Sequence, residues 1–233
     1  MTTTPSSHTA SLRMLSNTQI ATLKGLIFCL CLVPLALLAS AFFRDALGAN
    51  PIETITHATG DWTLRFLLIT LAVTPLRKLT HWHWLVRLRR MLGLYAFFYG
   101  TLHLATYLVL DQFFDWNAVV LDVLKRPYIT VGFSAFVLMV PLAVTSTNAM
   151  IRRLGGRRWQ ALHRSVYAIA ILGVLHFWWL VKADVFEPLI YALILAVLLS
   201  LRAWWREQER RRQQSAPPPL ATGRSRIIPI LPR

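Results

Sequence analysis

The chain has 233 residues, of which 55% are hydrophobic and 9 are Trp, and its mean hydropathy is +0.49. These values exclude a soluble domain and identify an all-α integral membrane protein. The net charge of +15 does not indicate nucleic acid, because the basic residues are spread over alternate loops as membrane topology requires.

A spanning helix needs about 20 predominantly apolar residues, and six stretches approach that requirement: 21–43, 62–76, 92–110, 128–146, 163–182 and 187–204. The first is too long for a signal peptide and lacks its small-residue cleavage pattern, so it reads as a retained span. Cys29 and Cys31 lie inside it as small apolar fillers, with no CxxCH for covalent heme attachment. The second stretch is short, with Arg65 near one end able to snorkel. The connections are too short for a soluble domain, which gives a cytoplasmic tail over 1–20, a six-helix transmembrane domain over 21–204 and a basic, Pro-rich tail over 205–233. That last tail, with Arg210, Arg211 and Arg212 before Pro217, Pro218 and Pro219, reads as a helix end and a disordered segment suited to anionic lipid headgroups.

Charge sets the orientation. The N-terminal tail, the 77–90 and 147–162 loops and the C-terminal tail, with the adjoining span ends, hold 20 of the 25 Lys and Arg residues. Eight of the ten acidic residues, Asp45, Glu53, Asp61, Asp111, Asp115, Asp122, Asp184 and Glu187, fall on the opposite side. The positive-inside rule then places both termini in the cytoplasm.

Within this frame His103 and His176 stand deep in the third and fifth spans, where an imidazole is expensive to keep. Counted from the cytoplasmic ends near Arg90 and His163, each lies roughly 20 Å in at the helical rise. Two level histidines on different helices suit the axial positions of a bis-histidine heme b. Gly93, Ala96, Gly100 and His103 share one helical face, and Gly173 lies one turn before His176, leaving room for a porphyrin. The same small residues would also serve close helix packing.

The other histidines leave alternatives open. His163, at the cytoplasmic edge of the fifth span, is either a ligand of a second heme or an interfacial histidine. The matching position on the third span holds Arg89 and Arg90, and only a folded-back loop could bring His81 or His83 there. His57, in the outer-loop segment 56–60, either covers a heme edge, meets a periplasmic partner, or has no special role. His81, Trp82, His83 and Trp84 read as an interfacial belt or a quinone or flavin contact. His8 lies in the polar tail without an expected role.

The segments NPIETITHATGDW (50–62), LAVTPLRKL (71–79), RRMLGLYAFFYGTLH (89–103), KRPYITVG (125–132), PLAVTSTNAMIRRLGG (141–156) and LHRSVYAIAILGVLHFWWLVKAD (162–184) carry a more specific signal. Over about 44–204 the chain resembles the heme-binding membrane subunits of bacterial periplasmic methionine sulfoxide reductase systems, in the ferric-reductase-like transmembrane family. The resemblance implies an inner-membrane electron carrier without catalysis of its own. Such a carrier serves a periplasmic molybdopterin reductase that repairs oxidised methionines. It implies heme association for His103, His163 and His176, and it adds FMN as a cofactor of the family. The chain lacks both the fourth histidine of the two-heme relatives and the cytosolic flavin and nicotinamide domains of the eukaryotic ones, so electrons would come from the quinol pool or a separate flavin reductase.

The expected chemistry is outer-sphere electron transfer through a heme b on His103 and His176, with acidic outer loops and Trp62, Trp116, Trp178 and Trp179 as a docking face or an interfacial belt. Two rivals are a ferric or metal-chelate reductase, separated only by its partner, and a small transporter relaying protons through buried histidines. The third and fifth spans offer the latter few other polar groups, and no inverted repeat or broken helix is evident.

Overall fold

A computed structural model describes residues 16–181 and 185–215; His8, Asp184 and Pro217, Pro218 and Pro219 lie outside them. The chain runs through α1 (Asn17–Phe43), α2 (Pro51–Thr80), a 3-10 turn (His83–Arg87), α3 (Arg89–Thr106), a π-turn (Tyr107–Asp111), α4 (Trp116–Lys125), α5 (Pro127–Val144), α6 (Asn148–Leu154), α7 (Gly156–His163), α8 (Val166–Leu180) and α9 (Phe186–Ser215). Among the described residues, five helical segments are long and apolar enough to cross a membrane: Asn17–Phe43, Arg89–Asp111, Pro127–Val144, Gly156–Leu180 and Phe186–Ser215. Helix α2 has 30 residues but is less apolar, since Asp61 and Arg65 stand within it. Arg65 is tied down there, with Nε donating to the Tyr191 hydroxyl at 2.9 Å and a guanidinium nitrogen 3.6 Å from Asp61.

Local sequence explains the helix starts. Ser16 and Gln19 form a capping box on α1. Asn50 caps α2 through the Glu53 amide, with Pro51 at the first helical position, where its missing N–H costs nothing. Because α2 starts at Pro51, the segment 56–60 is helical and not an outer loop. Its polar residues, Thr56, His57 and Thr59 among them, hide the helix from a reading based on apolarity. The fifth span is also not one rod: α7 ends at His163, and a turn at Arg164 and Ser165 precedes α8.

Helix α2 is central. One face presents Phe66 and Val73 to a cluster with Cys31, Tyr95, Ala96, Tyr99, Met139 and Ile169, while Leu64, Leu68 and Leu71, at helical spacing, meet Ala170, Val174, Leu195 and Leu198. Leu26, Leu30 and Leu37 of α1 and Leu193 and Val197 of α9 stay exposed, as expected where lipid is the solvent.

Helix α1 packs on the core through Ile27, Cys31, Leu32 and Leu35 and is tied by hydrogen bonds to two tyrosines of α3. The Tyr95 hydroxyl donates to the Phe28 carbonyl at 2.9 Å. The Tyr99 hydroxyl donates to the Cys31 carbonyl at 2.9 Å and accepts from the Leu35 amide at 3.2 Å, so it bridges one turn of α1 beside Pro34. Tyr99 is 1% exposed, so water cannot replace its hydroxyl. Tyr99→Phe is expected to destabilise the protein by about 0.5–1.5 kcal/mol, since it removes the hydroxyl that bonds to both backbone groups. A thermal unfolding midpoint equal to wild type in detergent would refute that role.

Candidate functional site

His103 of α3 and His176 of α8 face one another, with ring centroids 6.1 Å apart and ring planes at 74°. Each ring is tied to a neighbouring helix through Nδ1: His103 to the Thr56 carbonyl of α2 at 2.9 Å, and His176 to the Tyr128 carbonyl of α5 at 2.7 Å. A carbonyl oxygen only accepts, so Nδ1 carries the proton in both rings and Nε2 keeps its lone pair.

Each imidazole also rests on a glycine one turn beyond the carbonyl that holds it. A methyl group at Gly60 would lie 3.0 Å from His103 Cε1, and one at Gly132 would lie 2.7 Å from His176 Nδ1 and 2.8 Å from its Cε1. The two halves repeat the same device. A helix carries a carbonyl and, four residues later, a glycine, and the histidine follows 47 or 48 residues after the carbonyl. Composition gave no sign of this arrangement, and Thr56, Gly60, Tyr128 and Gly132 were missed as supports for the two rings. The near-equal spacing of THATG and YITVG from the two histidines, 47 and 48 residues, is the signal that could have found them.

Both histidines line a cavity of about 300 Å³, a size found for cofactor sites, together with Gly60, Gly100, Gly132 and Gly173. The rings fit a metal between them. An imidazole nitrogen binds a metal at about 2 Å, so two rings sharing one ion on opposite sides have centroids roughly 6 Å apart. The observed spacing needs little rearrangement.

The small-residue face of α3 divides. Gly100 lines the histidine cavity, Ala96 is fully buried in the core, and Gly93 lines a second cavity of about 530 Å³. His163 belongs to that second cavity. Its Nε2 lies 3.1 Å from the Thr145 hydroxyl, and its ring stacks on Trp159 with centroids 3.9 Å apart. Trp159 in turn donates Nε1–H to the Thr145 carbonyl at 2.9 Å. No other histidine lines this cavity among the described residues; His81, the left-handed cap of α2, and His83, in the 3-10 turn, are both exposed. Leu67, Met139 and Ile169 line both cavities and form the wall between them. His57, Asp61, Asp111 and Arg126 add polar groups to the histidine cavity, and Arg126 is paired with Asp122 at 3.1 Å.

Residues 59–174, which include His103 and end two residues before His176, match the model of the ferric reductase like transmembrane component. The chain is 58% identical over 188 residues to a protein of Herminiimonas arsenicoxydans, covering 80% of this chain and 86% of the relative. It is 60% identical over 185 residues to one of Azospira oryzae, covering 79% of each, and 57% identical over 176 residues to one of Rhodospirillum rubrum, covering 76% and 85%. All three relatives are named protein-methionine-sulfoxide reductase heme-binding subunit MsrQ. The chain therefore belongs to the MsrQ family of ferric-reductase-like transmembrane proteins.

Proposed function

We propose that the protein is a heme b electron-transfer subunit that passes electrons across the bacterial inner membrane to a periplasmic molybdopterin-containing methionine sulfoxide reductase, with the quinol pool or a flavin reductase as donor. The observation that carries this reading is the pair of imidazoles 6.1 Å apart, each with Nδ1 held by a backbone carbonyl. His103 and His176 would hold the heme iron through their Nε2 nitrogens, and the iron would supply a one-electron couple. Two imidazoles committed to the iron would leave no site for oxygen or sulfoxide, so reduction of the substrate would belong to the partner subunit. The Thr56 and Tyr128 carbonyls fix the tautomer and orientation of the two rings. Leu67, Met139 and Ile169 keep the cavity closed toward the second one.

This reading takes α1, α2, α3, α5, the α7–α8 pair and α9 as six spans with both termini in the cytoplasm, supported by the distribution of Lys and Arg. It assigns one heme. His163 has a hydroxyl and an indole as neighbours and no facing histidine among the described residues, so no second heme is placed on it.

Detergent-purified protein is expected to contain one heme b per chain by pyridine hemochrome, with a low-spin spectrum in both oxidation states and no change on exposure of the reduced form to carbon monoxide. A high-spin spectrum that shifts with carbon monoxide would show an open axial position and overturn the bis-histidine assignment.

A further inference from the structure

Helix α4 divides into two faces. Val119 and Val123 line the histidine cavity. Asp122, on the same face, accepts from the Tyr107 hydroxyl at 3.1 Å and pairs with Arg126 at 3.1 Å. The Val123 carbonyl accepts from the Thr130 hydroxyl, which fastens the end of α4 to α5. The opposite face carries Trp116, Val120, Leu121 and Leu124, and the turn leading into the helix adds Phe113 and Phe114. All six are exposed, Phe113 to 77% and Leu124 to 75%. Phe113 and Phe114 also hold left-handed backbone angles, with φ of 46° and 61°, a conformation that is costly for bulky side chains.

Such a face is open to lipid, to a partner protein or to water, and depth decides among them. Helix α3 and the π-turn run together over Arg89–Asp111, 23 residues or about 34 Å of helix, enough to cross a hydrocarbon core of about 30 Å. Asp111 therefore stands at the outer edge, and His103, eight residues earlier, lies about 12 Å below it. His176 faces His103 and donates Nδ1–H to the Tyr128 carbonyl, so the first turn of α5 lies at the level of the two rings. Helix α5 thus begins about 12 Å short of the outer edge, and α4, 10 residues or about 15 Å long, fills the missing layer.

In that layer the surroundings of a membrane protein are acyl chains and headgroups. The exposed face of α4 continues onto Phe133 and Val137 of α5, which are exposed along a span. Asp115 accepts from the Asn117 and Ala118 amides and so satisfies donors that lipid could not. The aromatic residues cluster at the outer end of α4, where an interfacial belt belongs. Lys125, exposed at the other end, has the long apolar stem that lets an ammonium reach toward headgroups.

We propose that α4 is a partial span set in the outer leaflet, with Phe113, Phe114, Trp116, Val120, Leu121 and Leu124 covered by lipid and Val119 and Val123 turned to the histidine cavity. The helix is then the layer that separates this cavity from the outer leaflet. That placement goes beyond the proposed function; it requires α3 and α5 to be spans and is independent of what His103 and His176 hold.

The full chain, with Cys29→Ala and Cys31→Ala, is reconstituted in phosphatidylcholine nanodiscs, and single cysteines are introduced as Leu121→Cys, Leu124→Cys, Val137→Cys and Arg210→Cys. Reaction with a charged, membrane-impermeant maleimide is followed by mass shift, and unchanged heme content and gel-filtration profile show that each variant is folded. A thiol kept from water ionises less, so Leu121→Cys and Leu124→Cys are expected to react at least about tenfold more slowly than Arg210→Cys and to match Val137→Cys. The unsubstituted protein is also irradiated in nanodiscs whose phosphatidylcholine carries a diazirine on its acyl chain. Lipid adducts are expected within 113–124 as well as within 133–137. Reaction of Leu121→Cys and Leu124→Cys as fast as that of Arg210→Cys overturns the proposal, because the face is then open to water and free for a partner protein. Adducts confined to 133–137 overturn it as well. Neither result alters the assignment of His103 and His176.

Discussion

Protein carrying His103→Ala or His176→Ala is expected to contain almost no heme b, while His163→Ala retains the wild-type amount. Each of the first two substitutions removes one of the two imidazole nitrogens that would hold the iron, and alanine brings no ligand in its place. Loss of a mere orienting partner of a metal-bound histidine costs about 10–100-fold in metal affinity, and loss of the ligand itself exceeds that. His163 bonds to the Thr145 hydroxyl and stacks on Trp159 in the other cavity, so its removal leaves both axial bonds intact. Pyridine hemochrome on variants purified under heme-replete expression reads the result directly. Full heme content in His176→Ala would remove the bis-histidine site, and loss of half the heme in His163→Ala would require a second one.

The depth of His103 and His176 was legible because an imidazole in an apolar run is conspicuous and helical rise converts sequence position into height. Height alone brought the two rings level. It could not reveal what holds them, because the supports are backbone carbonyls and glycine hydrogens, groups without a side-chain signature. Gly100 and Gly173 were legible as small residues near the histidines, and both line the same cavity. Gly93 and Ala96 were grouped with them by helical phase. Phase places residues on one face but does not say which neighbour that face meets, and here α3 passes from the histidine cavity through the core to the second cavity. The helical start of α2 at Pro51 was obscured for a related reason. Its first turns are polar, so apolarity began the span at 62, and only the Asn-Pro cap at 50 and 51 marked the true start. The second cavity was not legible at all. Arg89, Arg164 and Arg202, which line it, belong to segments far apart in sequence, and each taken singly looks like an ordinary positive charge at a span end.

Gly132→Ala is expected to displace the His176 ring and, with it, most of the heme. The added methyl would lie 2.7 Å from Nδ1, 2.8 Å from Cε1 and 3.0 Å from Cγ, so it meets the face of the ring along its length and not a flexible tip. Nor is the ring free to yield, since Nδ1 is bonded to the Tyr128 carbonyl one turn earlier on the same helix. Either that bond breaks or α5 and α8 separate. Overpacking of this kind costs about 1–3 kcal/mol, and release of the Nδ1 contact adds the roughly 10–100-fold loss in metal affinity. Gly60→Ala sets the comparison. There the methyl comes to 3.0 Å and 3.1 Å from two atoms of His103, close enough to press but within reach of a small shift. Heme is expected to be retained with an altered midpoint potential and a changed low-spin ferric EPR signal, since the ring rotates without leaving the iron. Gly173→Ala, whose methyl would make an ordinary 3.5 Å contact with Leu64, should change neither. The ordering Gly132, Gly60, Gly173 in disturbance of the heme site follows from these distances alone. Equal effects at all three would mean that the glycines serve general helix packing. A graded effect that follows ring contact would mean that the two repeated carbonyl-glycine seats are what hold the imidazoles for iron.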